Sequence, residues 1–228
     1  MAGVLYGIGV GPGDPELMTL KAVKTVRGCD VIVVPREDYR ESAAYQIALG
    51  AIRELEQMTV VGVSMPMTKD RSVLDENYRS IADRIERWLD EGKQVGVLTL
   101  GDATIYSTYL YLHRLVTEDG YETRIINGIP SFCAAAARLN MGLAERSEEL
   151  HVIPASYQVE EALKLPGTKI LMKTGRQIGR VKELLRAADA QVITVENCGM
   201  DGEKVWYGID EIQEQAGYYT LMIVRNEA

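Results

Sequence analysis

Gly7, Gly9, Gly11 and Gly13 alternate with Ile8, Val10 and Pro12 near the start of the chain. That spacing lets backbone approach a bound ligand where side chains would block it. It also serves a tight strand-to-helix turn, and both readings fit the residues. Two nucleotide motifs are excluded. A GxGxxG fingerprint needs a third glycine where Pro12 or Asp14 stands, and the second apolar run ends in Pro35-Arg36 where a ribose-binding acid is wanted. No GxxxxGK[ST] phosphate loop occurs. Two further polar turns follow apolar runs: Gly101-Asp102 after Val95–Leu100, and Gly128-Ile129-Pro130-Ser131 after Thr123–Ile126. Asp102 and Ser131 each suit a helix N-cap or a ligand contact. Phe132, Met172 and Met222 read as packing residues, although methionine also suits the flat face of an aromatic ligand.

Metal and covalent chemistry find no residue set. His113 and His151 are the only histidines and lie far apart, and Cys29, Cys133 and Cys198 are too widely spaced for a disulfide framework or a CxxC pair. No nucleophile–base–acid pattern stands out. Such a chain suits a reaction whose leaving group is already activated, so that orientation does most of the work.

These residues need elements to position them. Leu5–Val10 and Val31–Val34 read as buried strands around an amphipathic segment, with Asp14-Pro15-Glu16 as N-cap, N1 proline and acidic first turn, and Leu17, Leu20, Val23 and Val26 as its apolar face. Tyr78, Ile81, Ala82, Ile85, Trp88 and Leu89 line a longer helix, and a further helix is expected from Ile105 to Leu115. After about Asn127, strands at His151, Ile170, Val192, Val205 and Leu221 come with shorter connections and a hairpin turn at Met200-Asp201-Gly202-Glu203. The pattern predicts an α/β fold of two α/β domains, 1–126 with a mainly parallel sheet and 127–228 with a mixed sheet.

Composition narrows the partners. A net charge of −8 argues against a general nucleic-acid binder. No apolar run reaches bilayer-spanning length and no basic leader precedes Val4, so the expected setting is the cytoplasm, away from any membrane. Seven basic residues against one acid between Lys164 and Arg186 leave room for a local anion contact.

The stretch from Tyr6 to Ala22, YGIGVGPGDPELMTLKA, resembles the opening signature of the tetrapyrrole methylases. Leu100–Ser107, Ile126–Ala137, Ile170–Lys173 and Tyr219–Val224 resemble four further blocks of that family, in order along nearly the whole chain. The full opening, the Tyr-Ser-Thr at 106–108 and the run from Ser131 to Leu139 look most like members that methylate C20 of precorrin-2 or cobalt-precorrin-2. Ala103 departs from the family's usual proline, Asn127-Gly128 from Pro-Gly, and Pro130 from Ser or Thr. The resemblance implies S-adenosyl-L-methionine held between two domains of a homodimer. Carried over block by block, its contacts fall on Pro12, Leu100, Gly101, Asp102, Ile105, Tyr106, Ser131, Met172, Cys198 and Thr220. A polycarboxylate tetrapyrrole wants basic donors, for which Arg36, Lys173 and Arg176 are candidates, with Gly13 close to the transferred methyl. No base and no protein-bound metal is implied. Alternatives are a family member acting on another corrin carbon, diphthamide or ribosomal RNA, and a non-catalytic nucleotide-binding subunit.

Overall fold

The computed structural model describes residues 2–66, 68, 70–154, 159–174, 177–213 and 216–225. The chain folds as two compact units, Met1–Pro130 and Ser131–Ala228.

The first unit is a five-stranded, fully parallel sheet of β1 (Val4–Gly9), β2 (Val31–Val34), β3 (Thr59–Gly62), β4 (Val95–Thr99) and β5 (Glu122–Ile126), in the order β3-β2-β4-β1-β5. Helices α1 (Leu20–Arg27), α2 (Ala43–Ala51), α3 (Arg71–Asp90) and α4 (Tyr109–Glu118) connect it. Leu5, Val31, Val33, Val95 and Val97 face a core shared with α3 and α4, which supply Ile81, Ile85, Leu89, Leu112 and Val116. Burying each such side chain contributes roughly 1.5–3 kcal/mol before conformational entropy is charged against it. Gly7 makes room on this face, since a Cβ there would sit 2.0 Å from the ring of Tyr109. The alternate strand residues turn to the other face, where Gly96 lets Ile8, Ile32 and the Cys29 thiol just past α1 close together.

Two expected helix starts shift. Asp14 caps only a one-turn 3-10 segment, Pro15–Leu17, by accepting from Glu16 N at 2.8 Å. The α-helix begins afresh at Leu20, where Thr19 Oγ1 accepts from Ala22 N at 3.1 Å. The break rotates the helix, so Leu20 is 79 % exposed and Ala22 and Val26 are the buried positions. Leu20→Gln should therefore change unfolding free energy by no more than about 0.5 kcal/mol, read by chemical denaturation. Similarly, the helix expected from Ile105 starts at Tyr109, because Tyr106 has a left-handed φ of 48° that no helix accommodates.

The second unit holds α5 (Ser131–Arg138), β6 (Leu150–Pro154), α6 (Val159–Ala162), β7 (Thr168–Met172), α7 (Ile178–Ala187), β8 (Gln191–Glu196), β9 (Lys204–Tyr207) and β10 (Thr220–Arg225). Its sheet runs β6-β7-β10-β8-β9; β6 and β7 are parallel and the remaining pairs antiparallel. Leu171, Val192, Met222 and Val224 form a core with Val181 and Leu185 of α7. The wholly buried Lys169 donates its ammonium to Leu165 O at 2.8 Å, and burial lowers its pKa.

Candidate functional site

In a parallel sheet every strand ends at the same edge. β1 and β4 are neighbours, yet the chain leaves β1 toward β2 and leaves β4 toward β5, in opposite directions along the sheet. Such a divergence opens a crevice at the carboxyl ends, the usual ligand position in open α/β sheets. Here the two loops are stitched by backbone: Gly11 N donates to Gly101 O at 3.2 Å and Gly101 N to Gly11 O at 2.8 Å. Both glycines have left-handed φ, 80° and 73°. The third loop closes on them more tightly still. A Cβ on Gly128 would lie 2.1 Å from Gly101 O, and one on Gly9 2.5 Å from Gly128 N.

Asp102 sits within this knot, 6 % exposed. One carboxylate oxygen accepts from Thr104 N at 2.8 Å and from the Thr104 hydroxyl, and the other from Gly128 N at 2.9 Å and Asn127 Nδ2 at 3.3 Å. Burial alone pushes the carboxyl's pKa up, but these bonds outweigh it and hold it below the ordinary value. A carboxylate offers about four lone-pair sites, and all are filled by the chain. Asp102 therefore neither caps a helix nor presents a vacant oxygen; it ties the loop after β5 to the loop after β4. Thr104, Asn127 and Gly128 were the partners that sequence reasoning missed. The D-x-T spacing, which favours a side-chain-to-backbone turn, was their only local signal.

Pro12, Gly13, Leu100, Gly101, Ile105 and Tyr106 gather on the loops after β1 and β4. Pro12, Gly13 and Gly101 are buried, Leu100 and Ile105 half-buried, and Tyr106 is 45 % exposed. Arg36 follows β2 at the same sheet edge and pairs with Glu41. In the second unit, pairing of Met172 with Leu221 and of Thr220 with Glu196 brings Met172, Lys173, Thr220 and Cys198 to one end of the sheet. Thr220 Oγ1 donates to Gly217 O at 2.7 Å. Ser131 opens α5. Arg176 lies outside the described residues. The Cys198 thiol is pushed up to about 11 by burial and the nearby Glu203 carboxylate, and that of Cys29 to about 12 by burial and Asp30, so both are protonated at neutral pH.

A cavity of about 620 Å³ in the second unit, lined by Met141, Arg186, Ile193, Tyr207 and Arg225 among others, includes none of the candidate residues. It lies at the opposite end of the sheet, where β8 begins. Among the described residues, no group of three His, Cys, Asp or Glu side chains could hold a metal, and no helix is long and apolar enough to cross a membrane.

The family model of the tetrapyrrole (corrin/porphyrin) methylases matches residues 4–212. The chain is 33 % identical to the probable cobalt-precorrin-2 C(20)-methyltransferase of Methanocaldococcus jannaschii, covering 97 % of this chain and 95 % of the relative. It is 29 % identical to the cobalt-precorrin-2 C(20)-methyltransferase of Salmonella typhimurium, covering 100 % and 98 %. The fold is similar to that of a cobalt precorrin-4 methyltransferase, with a TM-score of 0.77 at 19 % identity over 97 % and 94 % of the two chains. A uroporphyrin-III C-methyltransferase from Thermus thermophilus, crystallised with S-adenosylhomocysteine, superposes with a TM-score of 0.71 at 19 % identity over 98 % and 97 %. With the ordered motifs, the parallel sheet and its glycine-stitched edge, these matches establish that the chain belongs to the tetrapyrrole (corrin/porphyrin) methylase family.

Proposed function

We propose that this protein is an S-adenosylmethionine-dependent methyltransferase that places a methyl group on C20 of precorrin-2 or cobalt-precorrin-2 in corrin biosynthesis. The observation that carries the reading is end-to-end similarity to relatives named for that reaction, on a chain whose glycine-rich strand ends form a ligand-facing edge.

The residues suit the cofactor. Pro12, Leu100, Gly101, Ile105 and Tyr106 offer backbone and apolar surface, Ser131 and Thr220 offer hydroxyls, and Met172 and Cys198 offer polarisable surface for an adenine. Asp102 belongs to the set through its backbone, its carboxylate being committed to the loops. When bound, the cofactor supplies a methyl activated on a sulfonium. The meso carbon of the reduced macrocycle would be the acceptor of that methyl, gaining a C–C bond as the S–C electron pair returns to sulfur and giving up a proton afterwards. The chain's part is to align donor and acceptor and exclude water, with Gly13 giving clearance near the methyl. Arg36, Lys173 and Arg176 are the candidate donors to the substrate's carboxylates. Cobalt, where present, belongs to the substrate. The same reading makes the protein a cytoplasmic homodimer; three free cysteines are in keeping with a reducing compartment.

Saturating S-adenosylhomocysteine, at about 100 times its Kd, should add roughly 2.7 kcal/mol of stability, measured as a rise in Tm. Incubation with methyl-labelled S-adenosylmethionine and metal-free or cobalt precorrin-2 should give a product heavier by one methyl, located at C20 by NMR. A methyl on another ring carbon overturns the C20 assignment, and binding without transfer to either macrocycle points to a different acceptor.

A further inference from the structure

Tyr218 and Tyr219 precede β10 at the end of the second sheet that carries Met172, Cys198 and Thr220. Each is 41 % exposed. Their rings meet edge to face, with centroids 5.3 Å apart and planes at 75°, and the Lys173 ammonium lies 5.8 Å from the Tyr218 centroid. Single exposed aromatics need no explanation, but this pair is held firmly from beneath. Gly217 N donates to Glu196 at 2.5 Å, Asn197 N donates to Tyr219 O at 3.1 Å, and Thr174 N donates to Thr220 O at 3.3 Å. Glu196, the anchor, is 7 % exposed. A Cβ on Gly217 would fall 2.4 Å from its carboxylate oxygen, so glycine lets the turn close directly on that side chain. Lys173 itself has a left-handed φ of 61°, a conformation that residues with a Cβ keep only where the surroundings impose it. The result is a corner with two half-exposed tyrosines, their ring planes at 75°, and a cation over one of the rings.

Resting on the proposed function, we propose that Tyr218, Tyr219 and Lys173 form a specificity contact for the macrocycle rim. The tyrosine rings take a flat pyrrole edge, and the Lys173 ammonium takes one of its peripheral carboxylates. Stacking supplies shape selection for a planar ring, and the ammonium selects for carboxylate density. The corner thereby favours a heavily carboxylated tetrapyrrole over a sparsely carboxylated one of the same ring size.

The test uses the full-length protein with S-adenosylhomocysteine present, and as probes two stable porphyrins, uroporphyrin with eight carboxylates and coproporphyrin with four, followed by porphyrin fluorescence. Wild type should bind uroporphyrin more tightly. The double substitution Tyr218→Leu with Tyr219→Leu should raise the Kd for both probes about tenfold, while Tyr218→Phe with Tyr219→Phe, which keeps the rings, should restore wild-type binding. Lys173→Met should weaken uroporphyrin more than coproporphyrin, and the difference should shrink in high salt. S-adenosylhomocysteine affinity should stay within about twofold throughout, since these side chains contact the acceptor. Leucine and methionine variants that bind both porphyrins as wild type does overturn this inference and leave the methyltransferase reading intact. A wild type that binds S-adenosylhomocysteine but neither porphyrin overturns this contact, while the acceptor itself is decided by the precorrin-2 incubation.

Discussion

Gly128→Ala should cost about 3 kcal/mol or more of stability, because overpacking against an immovable neighbour is among the larger point-mutation penalties. For a chain of this size that corresponds to a drop in Tm of roughly 10 °C. The added methyl would sit 2.1 Å from Gly101 O, 2.8 Å from the Gly9 carbonyl carbon and 2.9 Å from Gly9 Cα. All three are backbone atoms, and Gly101 is itself held by two bonds to Gly11, so no side chain can swing aside. Relief requires the loop after β5 to lift, which also removes the Gly128 N–H from Asp102. Gly179→Ala provides the control. Position 179 lies in α7 with no atom within 4 Å of its Cβ site, and there alanine should be neutral or stabilise by up to about 1 kcal/mol. A Gly128→Ala protein that melts with wild type would show that the three loops are not packed as described.

Asp102→Ala should cost roughly 1–3 kcal/mol, since it leaves the buried Gly128 N–H without an acceptor and also strips the partly buried Thr104 N–H of its partner. Cofactor affinity should fall along with the loops and not separately from them. A carboxylate facing the ligand predicts the opposite: lost S-adenosylhomocysteine binding at an unchanged Tm. Acid provides an independent check. Folding lowers the Asp102 pKa below its ordinary 3.8, so its stabilisation is complete above that value and disappears as pH falls through the folded value. The stability gap between wild type and Asp102→Ala, followed by denaturation from pH 7 downward, should therefore hold down to about pH 4 and narrow only below it. A gap that is closed already at pH 5 would assign the loss to another group.

Most strands were legible because their apolar runs are short, β-branched and punctuated by glycine: Val31–Val34, Val95–Thr99 and Gln191–Glu196 needed no tertiary information. The change from a parallel to a mixed sheet was legible in the shorter connections after Asn127. What escaped was set by contacts distant in sequence. Leu20 fits the apolar period of its segment, but the restart at Thr19 decides which face is buried. Asp102 precedes what reads as a helix, yet two of its donors come from Asn127 and Gly128, 25 and 26 residues away. Tyr218 and Tyr219 look like the lead-in to a strand until Lys173, 45 residues earlier, is found beside Tyr218.

The placement of β10 also bears on biosynthesis. This strand lies between β7 and β8, and Met222, Ile223 and Val224 are at most 2 % exposed. Until residues 220–225 have left the ribosome, β7 and β8 have no partner between them, and the apolar faces they share with α7 stay open to water and to other nascent chains. The second unit can thus complete only after residue 225 has emerged, and a chain cut short before Thr220 loses the middle of a sheet. Such truncations are candidates for aggregation and proteolysis even where the first unit has already folded.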